Sequence, residues 1–196
     1  FRDLDFSEKA TYLAYPWLRL LESFYFSRDR YYITVSRWMK QQILEQYDMA
    51  DSTVFVVRNS VDTELFSPSA KREPLDRDTV LFTGRIIAAK GIEYLVRAIP
   101  RVLEEYPETF FMFIGAGDSV PYVKHLKDMG VPEKNFAFLG YQKERRELVE
   151  FYRSCSLYVA PTLYENLPIR VLEAMACGAP VIASNVSAIP EVIEND

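Results

Sequence analysis

The chain has 196 residues, 49% of them apolar, and a formal net charge of −5 with both signs interspersed, which is core enough for one large domain or one and a half smaller ones. No basic stripe suits nucleic acid, no run of about eighteen apolar residues would span a membrane, and no leader pattern is visible. Two lone cysteines (Cys155 and Cys177) and a single histidine (His125) read as buried thiols and an exposed helical residue, with support for neither a disulfide nor a zinc site.

Residues 4–26 read as a helical region broken at Pro16. Its aromatics (Phe6, Tyr12, Tyr15, Trp17, Phe24, Tyr25 and Phe26) suggest a packed face or an interface. A membrane-surface helix is the competing reading, but Asp3, Asp5, Glu8 and Glu22 spoil a basic face. Residues 31–35 form a short strand, Ser36 caps a helix to about residue 47, and residues 53–57 form a second strand, together a β-α-β unit.

A Pro- and charge-containing stretch at 66–76 marks a boundary, so we divide the chain into residues 1–68 and 69–196. All seven glycines lie at or beyond Gly84, most of them where a strand meets a helix, as an α/β fold requires. Past the boundary, strands over 79–83, 110–114, 136–139, 157–160 and 181–183 alternate with helices over 90–105, 120–129, 145–154 and 168–177. Residues 189–191 open a further element. The fold class is therefore α/β, a doubly wound parallel sheet of Rossmann type preceded by a β-α-β remnant. Ligands of such sheets sit beyond the carboxyl ends of the strands. Gly84-Arg85, Gly115-Ala116-Gly117-Asp118, Gly140-Tyr141, the turn 162–165 and Ser184-Asn185 all fall there.

The most informative stretch is 164–184, YENLPIRVLEAMACGAPVIAS. Asn166 suits an N-cap, Pro168 a first helical position, and Gly178 a helix stop. Val181-Ile182-Ala183 reads as a strand buried on both faces. Glu173 lies in a helix that is apolar almost all round, where an unpaired carboxylate would cost several kcal/mol, roughly, or be forced neutral. Glu165 precedes it with seven residues intervening. Two readings stand equally. In one, the carboxylates accept from ligand hydroxyls on either side of a phosphate-binding helix N-terminus. In the other, a core arginine holds Glu173 and Glu165 is a solvated loop residue. A glycosidase pair is disfavoured, since no second wall is seen to hold a glycan between them.

Arg85 directly follows a buried strand, and Lys90 is expected in the first turn of the next helix, where a shared anion would offset its clash with the macrodipole. A lysine snorkelling into water is the alternative. Gly115-x-Gly117 follows a strand, but Val120 replaces the third glycine of a dinucleotide fingerprint, so a tight turn explains it better.

Taken together, Thr34-Val35-Ser36, Val57-Arg58-Asn59-Ser60-Val61-Asp62 with Phe66-Ser67-Pro68, Phe82-Thr83-Gly84-Arg85 with Lys90-Gly91, Phe138-Leu139-Gly140-Tyr141, and Pro161-Thr162, Glu165 and the run from Glu173 to Ala183 resemble the retaining nucleotide-sugar glycosyltransferases of the GT-B fold, family 4 (glycosyl transferases group 1). Arg58 and Ser60 depart from the family, which usually has Pro and Gly there. The resemblance covers nearly the whole chain and implies two Rossmann-like domains facing a cleft, of which this chain holds the end of the acceptor-side domain and most of the donor-binding one.

By that resemblance, Arg85 and Lys90, with Gly84 and the Ile169 N–H, would bind the donor diphosphate. Glu165 would be the catalytic carboxylate and hold sugar hydroxyls, beside Asn166, Leu167 and Pro168. Glu173 would take the ribose hydroxyls, and Gly140 and Tyr141 would line the base pocket. The resemblance further implies transfer with retention of anomeric configuration, no metal or other cofactor, and a glycan or lipid-linked acceptor bound by the other domain. It also implies a place in polysaccharide biosynthesis or a related pathway in the cytoplasm, with a peripheral contact to the membrane's cytoplasmic face, and no transfer by this piece alone. The competing classes are a Rossmann-type dinucleotide-binding oxidoreductase domain, against which the incomplete fingerprint counts, and a non-catalytic interaction module.

Overall fold

The computed structural model describes residues 30–47, 49–69 and 77–193. The aromatic region read over 4–26 lies outside them. The described chain forms two compact units that divide between Arg58 and Asn59, earlier than the boundary read at 66–76. The linker after Arg58 packs with the second unit: Phe66 is fully buried in its core, against Tyr152, with ring centroids 6.2 Å apart.

In the first unit, β1 (Tyr32–Thr34) and β2 (Val54–Val56) pair in parallel, with Ile33 opposite Phe55. The intervening helix α1 (Arg37–Tyr47) is capped by Ser36, whose Oγ accepts from the Met39 N–H at 3.0 Å.

The second unit carries β3 (Thr79–Thr83), α2 (Ile92–Glu105), β4 (Phe110–Ile114), α3 (Val120–Asp128), β5 (Phe136–Phe138), α4 (Arg145–Ser154), β6 (Leu157–Ala160), α5 (Ile169–Ala176) and β7 (Val181–Ala183). Its five strands form one all-parallel sheet in the order β5-β4-β3-β6-β7. The order reverses between β3 and β6, which makes their carboxyl ends the topological switch point.

Alternation along the strands supplies a core to each face. Leu81, Met112, Ile114 and Tyr158 pack on one face with Leu148, Val149 and Tyr152 of α4 and Val171 and Ala174 of α5. Phe82, Phe111 and Phe113 pack on the other with Ile92, Leu95, Val96 and Ile99 of α2 and Leu126 of α3. β7 departs from the expectation of a strand buried on both faces. Val181 and Ala183 pack toward the α5 core, but Ile182 is 58% exposed, because among the described residues β7 is the last strand of the sheet and nothing covers its other face.

Two helix starts also differ from the sequence reading. α2 opens at Ile92, after a short 3-10 turn over Ala88–Lys90, with Gly91 as its N-cap in the left-handed region (φ 67°). Lys90 therefore precedes the helix rather than sitting in its first turn. α5 opens at Ile169, so Pro168 is the N-cap and not the first helical residue. Its extended ψ of 101° ends the loop there, and its carbonyl accepts from the Val171 N–H at 3.1 Å. At the other end Gly178 does stop the helix: Ala179 N–H reaches the Ala174 carbonyl at 3.0 Å and Gly178 N–H the Met175 carbonyl at 2.9 Å, a Schellman closure. Among the described residues no helix is long and apolar enough to cross a membrane.

Candidate active site

The loop after β3 and the loop after β6 meet at the switch point. Leu163 N–H donates to the Ala89 carbonyl at 3.0 Å, and the Thr162 hydroxyl lies 3.1 Å from the same carbonyl oxygen. Gly91 allows this approach, since a Cβ there would stand 1.7 Å from the Pro161 carbonyl oxygen. The contact places Lys90 against Glu165, and the two half-buried side chains form an ion pair between Nζ and Oε2. Sequence reading assigned both residues to a site but did not pair them. Arg85 is exposed at the mouth and makes no ion pair with a described residue.

The loops after β3 and β4 run side by side. Gly84 N–H donates to the Ile114 carbonyl at 2.9 Å, Ile86 N–H to the Ala116 carbonyl at 2.8 Å, and Ile86 and Gly117 form a parallel bridge. A Cβ on Gly115 would stand 1.7 Å from the Gly84 carbonyl oxygen, and one on Gly117 2.5 Å from that of Ile86. The Gly-x-Gly pair thus serves backbone-to-backbone packing, as a tight turn would. Gly115 N–H in turn donates to the Gly140 carbonyl at 2.9 Å, which brings the β5 loop alongside, with Tyr141 64% exposed on the rim.

On the far side of the mouth, the loop into α5 carries Asn166, Leu167 and Pro168. Leu167 and Pro168 are buried, and the Leu167 carbonyl accepts from Asn59 Nδ2 at 3.1 Å. Asn166 does not cap the helix. Its Oδ1 is buried and has no hydrogen-bond partner, an acceptor that a ligand or water donor would satisfy. Because α5 begins at Ile169 and Pro168 has no N–H, Ile169 and Arg170 supply the first free helix donors.

Glu173 lies behind this loop and is 2% exposed. It is held by protein partners, two arginines and a tyrosine, but neither arginine is the core residue that one of the two sequence readings expected: their side chains are 42% and 57% exposed. Arg170 Nη1 donates to Oε2 at 2.8 Å, the Tyr152 hydroxyl donates to Oε2 at 3.2 Å, and Arg145 Nη2 donates to Oε1 at 3.1 Å. The Tyr152 hydroxyl also lies 2.7 Å from Thr83 Oγ1, which lies 3.2 Å from the Tyr158 hydroxyl. The Tyr158 hydroxyl in turn is 3.4 Å from the Thr83 carbonyl oxygen. Three hydroxyl protons serve these four contacts: Tyr158 donates to the Thr83 carbonyl and Tyr152 to the carboxylate, and the Thr83 hydroxyl donates to one of the two tyrosine oxygens.

Thr83, Arg145 and Tyr152 escaped the sequence reading, because nothing local marks a residue that reaches a carboxylate on another helix. Arg170 carried a signal, standing three residues before Glu173 on one helix.

Burial, above all, pushes the Tyr152 and Tyr158 phenols above their ordinary 10.0, with the Tyr158 and Glu173 charges adding at Tyr152. Burial likewise pushes the Cys177 thiol from 9.0 up to about 11. Burial disfavours the Arg170 charge, but Tyr152 and Glu173 beside it outweigh that and raise its pKa. The stability these three acids carry is fully present below the unfolded-state values and falls as pH rises past them, since the unfolded chain then loses protons the folded chain keeps. The guanidinium unfolding midpoint is expected to start falling near pH 9, where unfolded Cys177 ionises, and more steeply above pH 10. A midpoint that is flat between pH 8 and pH 11 would contradict this. Both cysteines are buried and unbridged, and His125 lies 3.3 Å from Glu93 at the α2–α3 surface.

The family described as Glycosyl transferases group 1 matches residues 77–196. An uncharacterized glycosyltransferase of Methanocaldococcus jannaschii is 32% identical over 176 residues, which are 84% of this chain and 44% of that relative. The chain thus spans less than half the length of that relative. A glycosyltransferase structure from Rickettsia africae superposes with a TM-score of 0.75 at 18% identity, covering 85% of this chain and 47% of the other. Anabaena HepE, solved with UDP and glucose, superposes with a TM-score of 0.70 at 21% identity, covering 83% and 46%. At those identities the likeness is one of fold, and the α/β sheet flanked by helices is that of GT-B glycosyltransferase structures. With the family match covering all five strands of the sheet and more than half of the chain, the chain belongs to the glycosyl transferases group 1 family.

Proposed function

We propose that this chain carries the donor-binding half of a retaining glycosyltransferase, which moves a sugar from a nucleoside diphosphate to an acceptor held by the other half. The observation that carries the reading is the meeting of Lys90 and Glu165 at the switch point, with the Asn166 acceptor beside it and Glu173 behind it. A cation, free helix donors and two carboxylates in that order match the diphosphate, sugar and ribose of a nucleotide sugar. UDP in the fold relative HepE supports the same ligand class.

In this reading Arg85, Lys90, Gly84 and the Ile169 N–H hold the diphosphate. Lys90 leaves Glu165 for the phosphates, and Glu165 then accepts sugar hydroxyls and stands beside the reacting carbon. Asn166 completes the sugar site, whose floor is Leu167 and Pro168. Glu173 takes the ribose hydroxyls, and Gly140 and Tyr141 receive the base. Fixed cations and helix donors stabilise the charge that develops on the leaving diphosphate, so this chemistry needs no metal or other cofactor. Retention of configuration belongs to the proposal and follows from the family resemblance.

Calorimetric titration with UDP, GDP, ADP and their common sugar conjugates tests it. One nucleotide series is expected to bind, and Lys90→Ala to weaken its diphosphate by about 10- to 100-fold, the worth of a charge-assisted hydrogen bond, while leaving the bare nucleoside unaffected. Failure of a folded chain to bind any of the three series would sink the reading.

A further inference from the structure

The two oxygens of Glu173 have unequal partners. Oε2 is held by Arg170, one turn earlier on the same helix and 42% exposed, and by the fully buried Tyr152. A carboxylate oxygen has two lone-pair sites, and at Oε2 both are used. Among the described residues Oε1 receives only Arg145. Arg145 is the first residue of α4, and its side chain is 57% exposed. Its guanidinium rests over the Phe66 ring, 5.1 Å from the centroid. With Glu173 itself 2% exposed, a ligand hydroxyl reaches the carboxylate only if a partner moves aside. Tyr152 has no path to water, and withdrawal of Arg170, 42% exposed, would free only one site on Oε2, so Arg145, the more exposed of the two arginines, is the partner whose exchange for water opens a whole oxygen. Withdrawal of Arg145 frees both lone-pair sites of Oε1, which matches the two hydroxyls of a vicinal diol.

We propose that Glu173 meets a ligand diol through Oε1 alone, with Arg170 and Tyr152 as fixed positioning residues on Oε2 and Arg145 as a displaceable guard that sets the preference for ribose over deoxyribose. The proposal rests on the donor-binding reading above. It does not need Arg145 to leave the site, only to exchange Oε1 for solvent or for a ligand oxygen.

The test is calorimetric titration of the chain with UDP, GDP and ADP, each against its 2′-deoxy counterpart, for wild type, Arg145→Ala, Tyr152→Phe and Glu173→Gln. Arg145→Ala is expected to raise the ribo-to-deoxy affinity ratio about two- to five-fold, the range of an exposed ion pair removed as a competitor. Tyr152→Phe keeps the ring that packs on Phe66 and Tyr158 but frees Oε2, and is expected to lower the ratio several-fold. Glu173→Gln is expected to abolish the preference. A purely structural role would shift ribo- and deoxynucleotide affinities together. If Glu173→Gln removes the preference while Arg145→Ala leaves the ratio unchanged or lower, or Tyr152→Phe leaves it unchanged or higher, the inference is overturned and the donor reading stands. Absence of binding by all three nucleotides, or a wild-type chain without ribose preference, overturns the inference together with the ribose role of Glu173 beneath it.

Discussion

Gly91→Ala is expected to destabilise the second unit by about 3–5 kcal/mol, combining overpacking with the cost of a left-handed backbone for a residue with a Cβ. The added carbon would stand 1.7 Å from the Pro161 oxygen and 2.6 Å from the carbonyl carbon, both backbone atoms with no rotamer to escape into. Either the β3 loop or the β6 loop must move, and with it the 3.0 Å bond from Leu163 N–H to the Ala89 carbonyl. Gly140 provides the control. Its φ is 70°, close to that of Gly91, but nothing lies within 4 Å of its Cβ position. Gly140→Ala should therefore cost only the backbone term, about 1–2 kcal/mol. Guanidinium melts at constant m-value measure both, and equal losses would show that the loops do not touch as described. Against a total stability of about 5–15 kcal/mol, the Gly91 change removes a large share and separates Lys90 from Glu165.

The second large effect sets two arginines on one carboxylate against each other. Arg170→Met is expected to cost about 2 kcal/mol, below the range for breaking a fully buried pair, because the Arg170 side chain is 42% exposed and Arg145 still neutralises Oε1. Arg145→Ala should cost under about 1 kcal/mol, as exposed ion pairs do. Both donate to the same residue at 2.8 Å and 3.1 Å, so distance does not separate them. Position does: Arg170 shares Oε2 with the fully buried Tyr152 and stands on the same helix as Glu173, whereas Arg145 reaches Oε1 alone from another helix and is the more exposed, 57% against 42%. Equal losses from the two substitutions, in parallel denaturant melts, would remove the distinction between a fixed and a yielding partner. Glu173→Gln in the Arg170→Met background completes the cycle. It should recover part of the loss, since the unpaired buried charge is then gone.

Much of the architecture was legible in local pattern. Strands of three to five residues, four of the five past the boundary closed by Gly or Pro, alternating with helix-period runs, determined an α/β fold without reference to anything distant. Ser36 and Gly178 announced a helix start and a helix stop because caps act within one turn. The apolar surroundings of Glu173 along its own helix determined that it needed a partner, and the order of motifs determined the family.

Tertiary structure decided the rest, for a physical reason. Hydrogen bonds and ion pairs reach about 3 Å, so two side chains couple only where the sheet order delivers their loops to one place. Lys90 and Glu165 are 75 residues apart, Arg145 and Glu173 28, Thr83 and Tyr152 69. The reversal of strand order between β3 and β6 brings them together. The same reasoning explains the misplaced helix starts. Gly91 yields to the Pro161 backbone beside it and Pro168 holds an extended ψ at the loop's end, both settled by packing across the mouth and not by the preference of either residue alone. Sequence marked Lys90, Glu165 and Glu173 as residues for the proposed site; only the packed sheet decided which side chains they face.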